Sequence, residues 1–205
     1  VAQILVEAEV NVEILVGGTV ERAHRRAGQA ACRLHGAREE HQLRLAVALA
    51  RLPGEACFEA TIIGDGPLRA DLAAMAARLG LAAKVRFAGW VSRADMPETL
   101  RHADAFVFPS RDEGMPNAVL EAMASGLAVA ATRIAGNEEL VEEGRTGFLV
   151  PPDDAAALTA VVARLVADRN LCWRLGQAGR EKVVREYSWR VVAEAYAALC
   201  AQAAR

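Results

Sequence analysis

A doubly wound α/β fold built on a parallel sheet is the architecture this sequence predicts, on three observations. Short apolar runs alternate several times with segments of helical periodicity. Runs such as Ala105–Phe108 and Leu127–Ala131 are apolar throughout, as strands are when helices cover both faces of a sheet. Alanine is abundant, and aromatic residues are only 5% of the 205, which favours close-packed helices over an all-β sandwich.

The start of the chain has the weakest pattern. Gln3–Val6 and Val12–Val16 read as short strands and Gly17-Gly18 as a turn. From Val20 to Glu40 the chain is polar, Arg-rich and poorly periodic. Leu43, Ala46, Val47 and Ala50 line one side of a helix over 38–52 that ends at Pro53-Gly54. The predicted division is a poorly defined segment, 1–40, and one domain, 41–205, with no repeat and no linker.

From Phe58 the signals sharpen. Phe58–Ile63 reads as a strand, and Gly64-Asp65-Gly66-Pro67 closes it. That turn lacks the third glycine of a dinucleotide fingerprint, so it is equally a tight turn and a place of ligand approach. Leu68, Leu72, Met75 and Leu79 make a helical stripe that Gly80 stops. Lys84–Phe87 is a strand before a Gly89-Trp90-Val91 loop, where Trp90 is read as core or as the border of a base pocket, with core favoured. Asp95 to Glu98 has the form of a capping box, opening a helix through His102. Strands follow at 105–108, 127–131 and Gly147–Val150. Asn137 is read as the cap of a helix through Glu143, and Asp153 or Asp154 as the cap of a helix over 155–167. Helices over 170–185 and 189–203 complete the chain.

Composition excludes several classes of function. The net charge is −2 with no basic block, so nucleic acid is not an expected partner. Cys32, Cys57, Cys172 and Cys200 form no CxxC, and the four histidines have no ligand spacing, so no metal site is expected. The cysteines fit a reducing compartment and no apolar run approaches a membrane span, so the expected location is cytoplasmic or peripheral at the inner face of the membrane. The chain begins with Val1, which fits a fragment of a longer protein.

Ser110 to Gly126 is the stretch with the most chemistry. Pro116 suits the first helical position and Gly126 the position past the helix end. The loop therefore presents backbone N–H groups at a helix N-terminus, a ready place for phosphate. Glu113 lies in the loop and Glu121 just over one turn into the helix, where Asn117, Glu121 and Ser125 share a face. Because Leu120 and Ala122 flank it, Glu121 is expected off the freely solvated surface. Arg33, Arg38 and Arg111 are the candidate cations for phosphate, and no DxD pair of the metal-binding kind is present.

These residues resemble the C-terminal, nucleotide-sugar-binding half of a GT-B glycosyltransferase of the retaining family-4 type. The resemblance rests on Ile63-Gly64-Asp65-Gly66-Pro67-Leu68, Val85-Arg86-Phe87-Ala88-Gly89-Trp90 and Phe108-Pro109-Ser110-Arg111-Asp112-Glu113-Gly114-Met115-Pro116. It continues through Glu121–Gly126, Gly136–Val141, Gly147–Pro151 and Tyr187-Ser188-Trp189, and covers Phe58 to the end. It implies a Rossmann-like domain that is one half of a GT-B fold, with Glu113 and Glu121 as the paired glutamates of the E-x7-E motif. Glu113 would hold the donor sugar's hydroxyls near the reacting carbon and is the implied catalytic residue, while Glu121 would hold the ribose.

Backbone around Gly114, Met115 and Asn117 would meet the sugar and diphosphate, loop residues around Trp90 and Val91 would edge the base, and Gly64 would line the donor site. Arg33 and Arg38 match the family arginine and lysine at the diphosphate, although Glu39 stands where the family has glycine. The implied reaction moves a sugar from a nucleoside diphosphate donor with retention, with no cofactor and no essential metal, onto a glycan, lipid or small-molecule acceptor. The acceptor would be held by a separate domain or chain, so little turnover is expected from this chain alone. The alternatives are a non-catalytic nucleotide-sugar-binding subunit, a truncated inactive product, and a sugar-nucleotide epimerase of the same fold.

Overall fold

The structure, a computed structural model, describes residues 2–7 and 45–203. Among the described residues, six strands form one parallel sheet: β1 (Ala2–Glu7), β2 (Phe58–Ile63), β3 (Val85–Gly89), β4 (Ala105–Phe108), β5 (Ala128–Thr132) and β6 (Gly147–Val150). Their spatial order is β3-β2-β1-β4-β5-β6. This confirms the doubly wound α/β class and places the reversal of strand order between β1 and β4. In open sheets of this kind, ligands occupy the crevice beyond the strand carboxyl ends at that reversal. β1 lies in the middle of the sheet, hydrogen-bonded to β2 and β4. Residues 2–7 are therefore part of the same sheet as the chain after 41, although they fall in the stretch read as a poorly defined start.

The helices are α1 (residues 45–50), α2 (Arg69–Arg78), α3 (Met96–Arg101), α4 (Asn117–Ala124), α5 (Ala135–Leu140), α6 (Ala155–Ala167), α7 (Arg169–Glu186) and α8 (Trp189–Ala203). Alternation along the strands divides the core in two. Ala105 and Val107 join one cluster with Leu49, Leu158 and Leu175, while Phe106 and Phe108 join the other with Val119, Met123 and Leu140. β5 is buried at every position. Its sequence, Ala-Val-Ala-Ala-Thr, is small enough for helices to close on both faces.

That closeness is set by backbone contact. A Cβ on Gly176 of α7 would lie 1.9 Å from Gly126 O, so α7 rests directly on the turn that ends α4. Gly126 itself has φ 81°, the left-handed conformation expected just past a helix end. Asp154 caps α6 by accepting from Ala157 N at 2.8 Å, and Asp168 caps α7 by accepting from Leu171 N at 2.9 Å.

Several local expectations change. Pro116 is the residue before the first helical position, in extended conformation, so α4 begins at Asn117. The capping arrangement near α3 lies one turn earlier than predicted. Ser92 Oγ accepts from Asp95 N at 3.2 Å and donates to Asp95 Oδ2 at 2.6 Å, while Asp95 caps nothing with its side chain. Trp90 is 66% exposed rather than core. Asn137 is inside α5, whose cap is Ile134. The predicted strand 12–16 lies outside the described residues. α8 has no buried residue, and Trp189, Val192, Tyr196 and Leu199 stand exposed along it.

Gly176→Ala is expected to destabilise the chain by about 3 kcal/mol, since its Cβ meets a backbone carbonyl that cannot move aside. Gly54→Ala, with nothing within 4 Å, should change stability little. Urea denaturation of both variants checks the contrast, and equal midpoints would contradict it.

Candidate functional site

The loop after β4 is held from below. Pro109 leaves the strand and Ser110 is buried, its carbonyl accepting from Thr132 Oγ1 at the end of β5. Ser110 Oγ donates to Glu113 Oε1 at 3.2 Å, which draws the half-buried Glu113 side chain back toward its own loop. Gly114, Met115 and Asn117 are exposed beyond it. Among the described residues, no acceptor takes the N–H groups of Asn117 or Ala118, as is usual at a helix N-terminus. The geometry thus joins one carboxylate, an exposed loop and outward-facing helix amides at the carboxyl end of β4, beside the reversal of strand order.

α5 forms the rear wall of this loop. A Cβ on Gly136 would lie 2.5 Å from Glu113 O, 2.9 Å from Gly114 O and 3.0 Å from Pro116 Cδ. Only glycine lets α5 back onto the loop at this distance. The next residue, Asn137, is fully buried and donates from Nδ2 to Thr132 O at 2.8 Å. Its Oδ1 has no partner among the described residues, an arrangement that costs about 1–3 kcal/mol. The sequence marked Gly136 and Asn137 as a helix start. Their contact with the loop was not visible there, because residues 113 and 136 meet only through the fold.

Glu121 does not behave as predicted. It is exposed on α4, whose buried residues are Val119, Ala122 and Met123. Asn117 is exposed and Ser125 half-buried on the same side, so the polar stripe exists but faces outward. Gly64 and Val91 are half-buried at the ends of β2 and β3. Gly64 N donates to Gly89 O at 2.8 Å, which ties those two loops together. β1 separates them from the Glu113 loop in the strand order. Arg33 and Arg38 lie outside the described residues. Arg111 is engaged: its Nε donates to Asp153 Oδ1 at 3.0 Å. Asp153 adopts φ 69°, a left-handed conformation uncommon for a residue with a side chain.

Among the described residues, no group of three or more His, Cys, Asp or Glu side chains could hold a metal, and no helix is long and apolar enough to cross a membrane. Cys172 is buried, donates from Sγ to Leu165 O at 3.2 Å, and has its thiol pushed up by burial to about 11. It is a packing residue and not a nucleophile.

The "Glycosyl transferases group 1" profile matches residues 25–168. The chain belongs to this family. It is 36% identical over 154 residues to the lipopolysaccharide core biosynthesis glycosyltransferase LpsE of Rhizobium meliloti, covering 75% of this chain and 44% of that one. Anabaena HepE, solved in complex with UDP, superposes with a TM-score of 0.73 at 22% identity, covering 97% of this chain and 48% of that one. The C-terminal domain of the group 1 family protein LpcC from Francisella tularensis superposes at 0.67 with 22% identity, covering 92% and 87%. The chain thus has the Rossmann-like fold of one half of a GT-B glycosyltransferase. It spans less than half the length of the curated relatives it matches.

α5 is itself pinned by α7. Lys182, nearly buried, donates from Nζ to Glu139 O at 3.0 Å and pairs with Glu142 Oε1 at 3.2 Å. Tyr187 OH donates to the same carbonyl at 3.3 Å. The hydrogen bond from Lys182, helped by Arg145, holds the Glu142 carboxyl below its ordinary value of 4.5. A lowered folded-state pKa means the unfolded chain binds protons first as pH falls. The stability from this pair is therefore complete above 4.5 and is lost as pH drops through the folded value. The stability difference between the wild-type chain and Lys182→Met should narrow when denaturation is measured at neutral pH and then below 4.5. A difference that stays constant with pH would contradict this.

Proposed function

We propose that this chain is the donor-binding half of a glycosyltransferase that moves a sugar from a nucleoside diphosphate onto a glycan, lipid or small-molecule acceptor, with retention at the anomeric carbon. The observation that carries the reading is the Glu113 loop. In a group 1 chain, a carboxylate and outward-facing helix amides stand together at the carboxyl end of β4, beside the reversal of strand order. The UDP complex of a protein sharing this fold supports a nucleotide as the ligand.

In this reading Glu113 accepts hydrogen bonds from the donor sugar's hydroxyls and fixes the anomeric carbon for attack. The N–H groups of Gly114, Met115 and Asn117 meet the sugar and the diphosphate. Negative charge growing on the leaving diphosphate is offset by the N-terminal end of α4 together with Arg33 and Arg38. Glu121 is the E-x7-E partner that takes the ribose hydroxyls, and its exposure leaves it open to a ligand lying along α4. Val91 borders the base and Gly64 lets the chain approach the ligand. The reading uses no metal and no cofactor.

An acceptor must face the donor across a cleft, and that role falls to a separate domain or chain. The work is placed in the cytoplasm, at the inner face of the membrane where the acceptor is a lipid.

The test is calorimetric binding of UDP-, GDP- and ADP-sugars to the purified chain. The best ligand should weaken roughly tenfold to a hundredfold in Glu121→Ala, the loss of hydrogen bonds to a charged group. Equal affinity in the variant removes Glu121 from the ribose role. The chain alone should show little or no transferase turnover, and a sustained rate with a sugar acceptor would overturn the need for a second domain.

A further inference from the structure

Asn137 is an uneconomical choice for its position. It is fully buried, and only half of its amide is used. Thr132 O, which accepts from Nδ2, also accepts from Ile134 N at 3.0 Å, so it would stay paired without the asparagine. An apolar side chain of the same branching would remove the orphaned Oδ1 and leave Thr132 O paired, losing besides only the long 3.5 Å bond from Nδ2 to Thr132 Oγ1. Folding alone therefore gives no reason for an amide here.

The reason lies in what the amide holds. Thr132 ends β5, and its Oγ1 donates to the carbonyl of Ser110. Ser110 Oγ in turn donates to Glu113 Oε1 at 3.2 Å. Asn137 thus fixes the residue that fixes the root of the loop, and the last member of the chain is the carboxylate itself. Gly136, its neighbour, meets the same loop by backbone contact at Glu113 O. α5 reaches Glu113 by two routes, one of sterics and one of hydrogen bonds.

We propose that Asn137 and Thr132 are positioning residues that, through Ser110, set the direction of the Glu113 carboxylate toward the donor sugar. This rests on the reading of Glu113 as the group that meets that sugar. Neither Asn137 nor Thr132 touches the ligand. Their effect falls first on the sugar, because the carboxylate they reach is the group read as meeting it, while Glu121 stands exposed on α4 away from these bonds.

Three variants of the whole chain test this: Asn137→Leu, Thr132→Val and the conservative Thr132→Ser. Each is crystallised without ligand, melted, and titrated with UDP-glucose, GDP-mannose and ADP-glucose, each against its own nucleoside diphosphate. Asn137→Leu and Thr132→Val should move the Glu113 carboxylate in the crystal structure. They should lower the preference for the nucleotide sugar over the bare nucleotide about tenfold, the scale of one misplaced hydrogen bond, and weaken the bare nucleotide much less. Thr132→Ser keeps the hydroxyl and should keep the preference. If Asn137→Leu packs poorly and melts early, Thr132→Val carries the same test with no change of shape.

An unmoved Glu113, or an unchanged preference in both Asn137→Leu and Thr132→Val, overturns the proposal. So does an equal loss of nucleotide and nucleotide sugar, which marks a purely structural role. A wild-type chain that binds none of the six ligands refutes the donor-binding reading instead. In that case the crystal structures alone decide whether Asn137 and Thr132 position Glu113.

Discussion

Backbone-to-backbone contact through glycine is the constraint on which the rest of this structure depends. Three elements close onto a carbonyl that a Cβ would strike: α7 at Gly126 O through Gly176, β6 at Val129 O through Gly147, and α5 at Glu113 O through Gly136. The first two bring helix and strand down on β5, whose small side chains leave no solvent-facing side. The third carries that compactness to the loop after β4. The geometry around Glu113 is thus inherited from the packing of the whole right-hand half of the sheet. A shift in α7 would be passed to α5 through Lys182 and Tyr187, which both donate to Glu139 O, and from α5 to the loop. Interiors packed at crystal-like density transmit displacement in this way.

Polar groups divide the labour differently on the two sides of the loop. Behind it, Ser110, Thr132 and Asn137 are buried and bonded to one another, where hydrogen bonds are strongest and their geometry most fixed. In front, Gly114, Met115, Asn117 and Glu121 are exposed and Glu113 half-buried. To one side, Arg111 is drawn to Asp153 across the entrance to α6. The cation nearest the loop in sequence is thereby engaged with an internal partner.

The strands and most helices were legible because each is encoded locally. Apolar runs, Pro116, Gly126 and the cap Asp154 all act within a few residues of themselves. The loop with Glu113 was legible for the same reason. What escaped were properties set by neighbours in space. Glu121 was expected to be shielded because Leu120 and Ala122 flank it, yet residues adjacent in a helix point about 100° apart. Its neighbours along the face are Asn117 and Ser125, as the spacing already implied, and that stripe faces outward. Asn137 carries a strong capping preference, but the chain leaving β5 turns into helix at Ile134 and carries Asn137 inward. Ser92 displaced Asp95 as the cap near α3, a competition between two good capping residues three apart. β1 was read as a possible short strand, but its place in the middle of the sheet depends on pairing with strands more than fifty residues away.

The exposure of Trp90 has an optical consequence. The chain has three tryptophans, and all are solvated: Trp90 at 66%, Trp173 at 65% and Trp189 at 89%. Emission from the native chain is therefore already that of indole in water, and unfolding the core changes it little. Fluorescence is a poor gauge of whether this chain is folded. Trp90 alone of the three sits at the carboxyl ends of the strands, beside Val91, so quenching or a blue shift on adding a nucleotide reports on that edge of the sheet, over a background the fold itself keeps quiet.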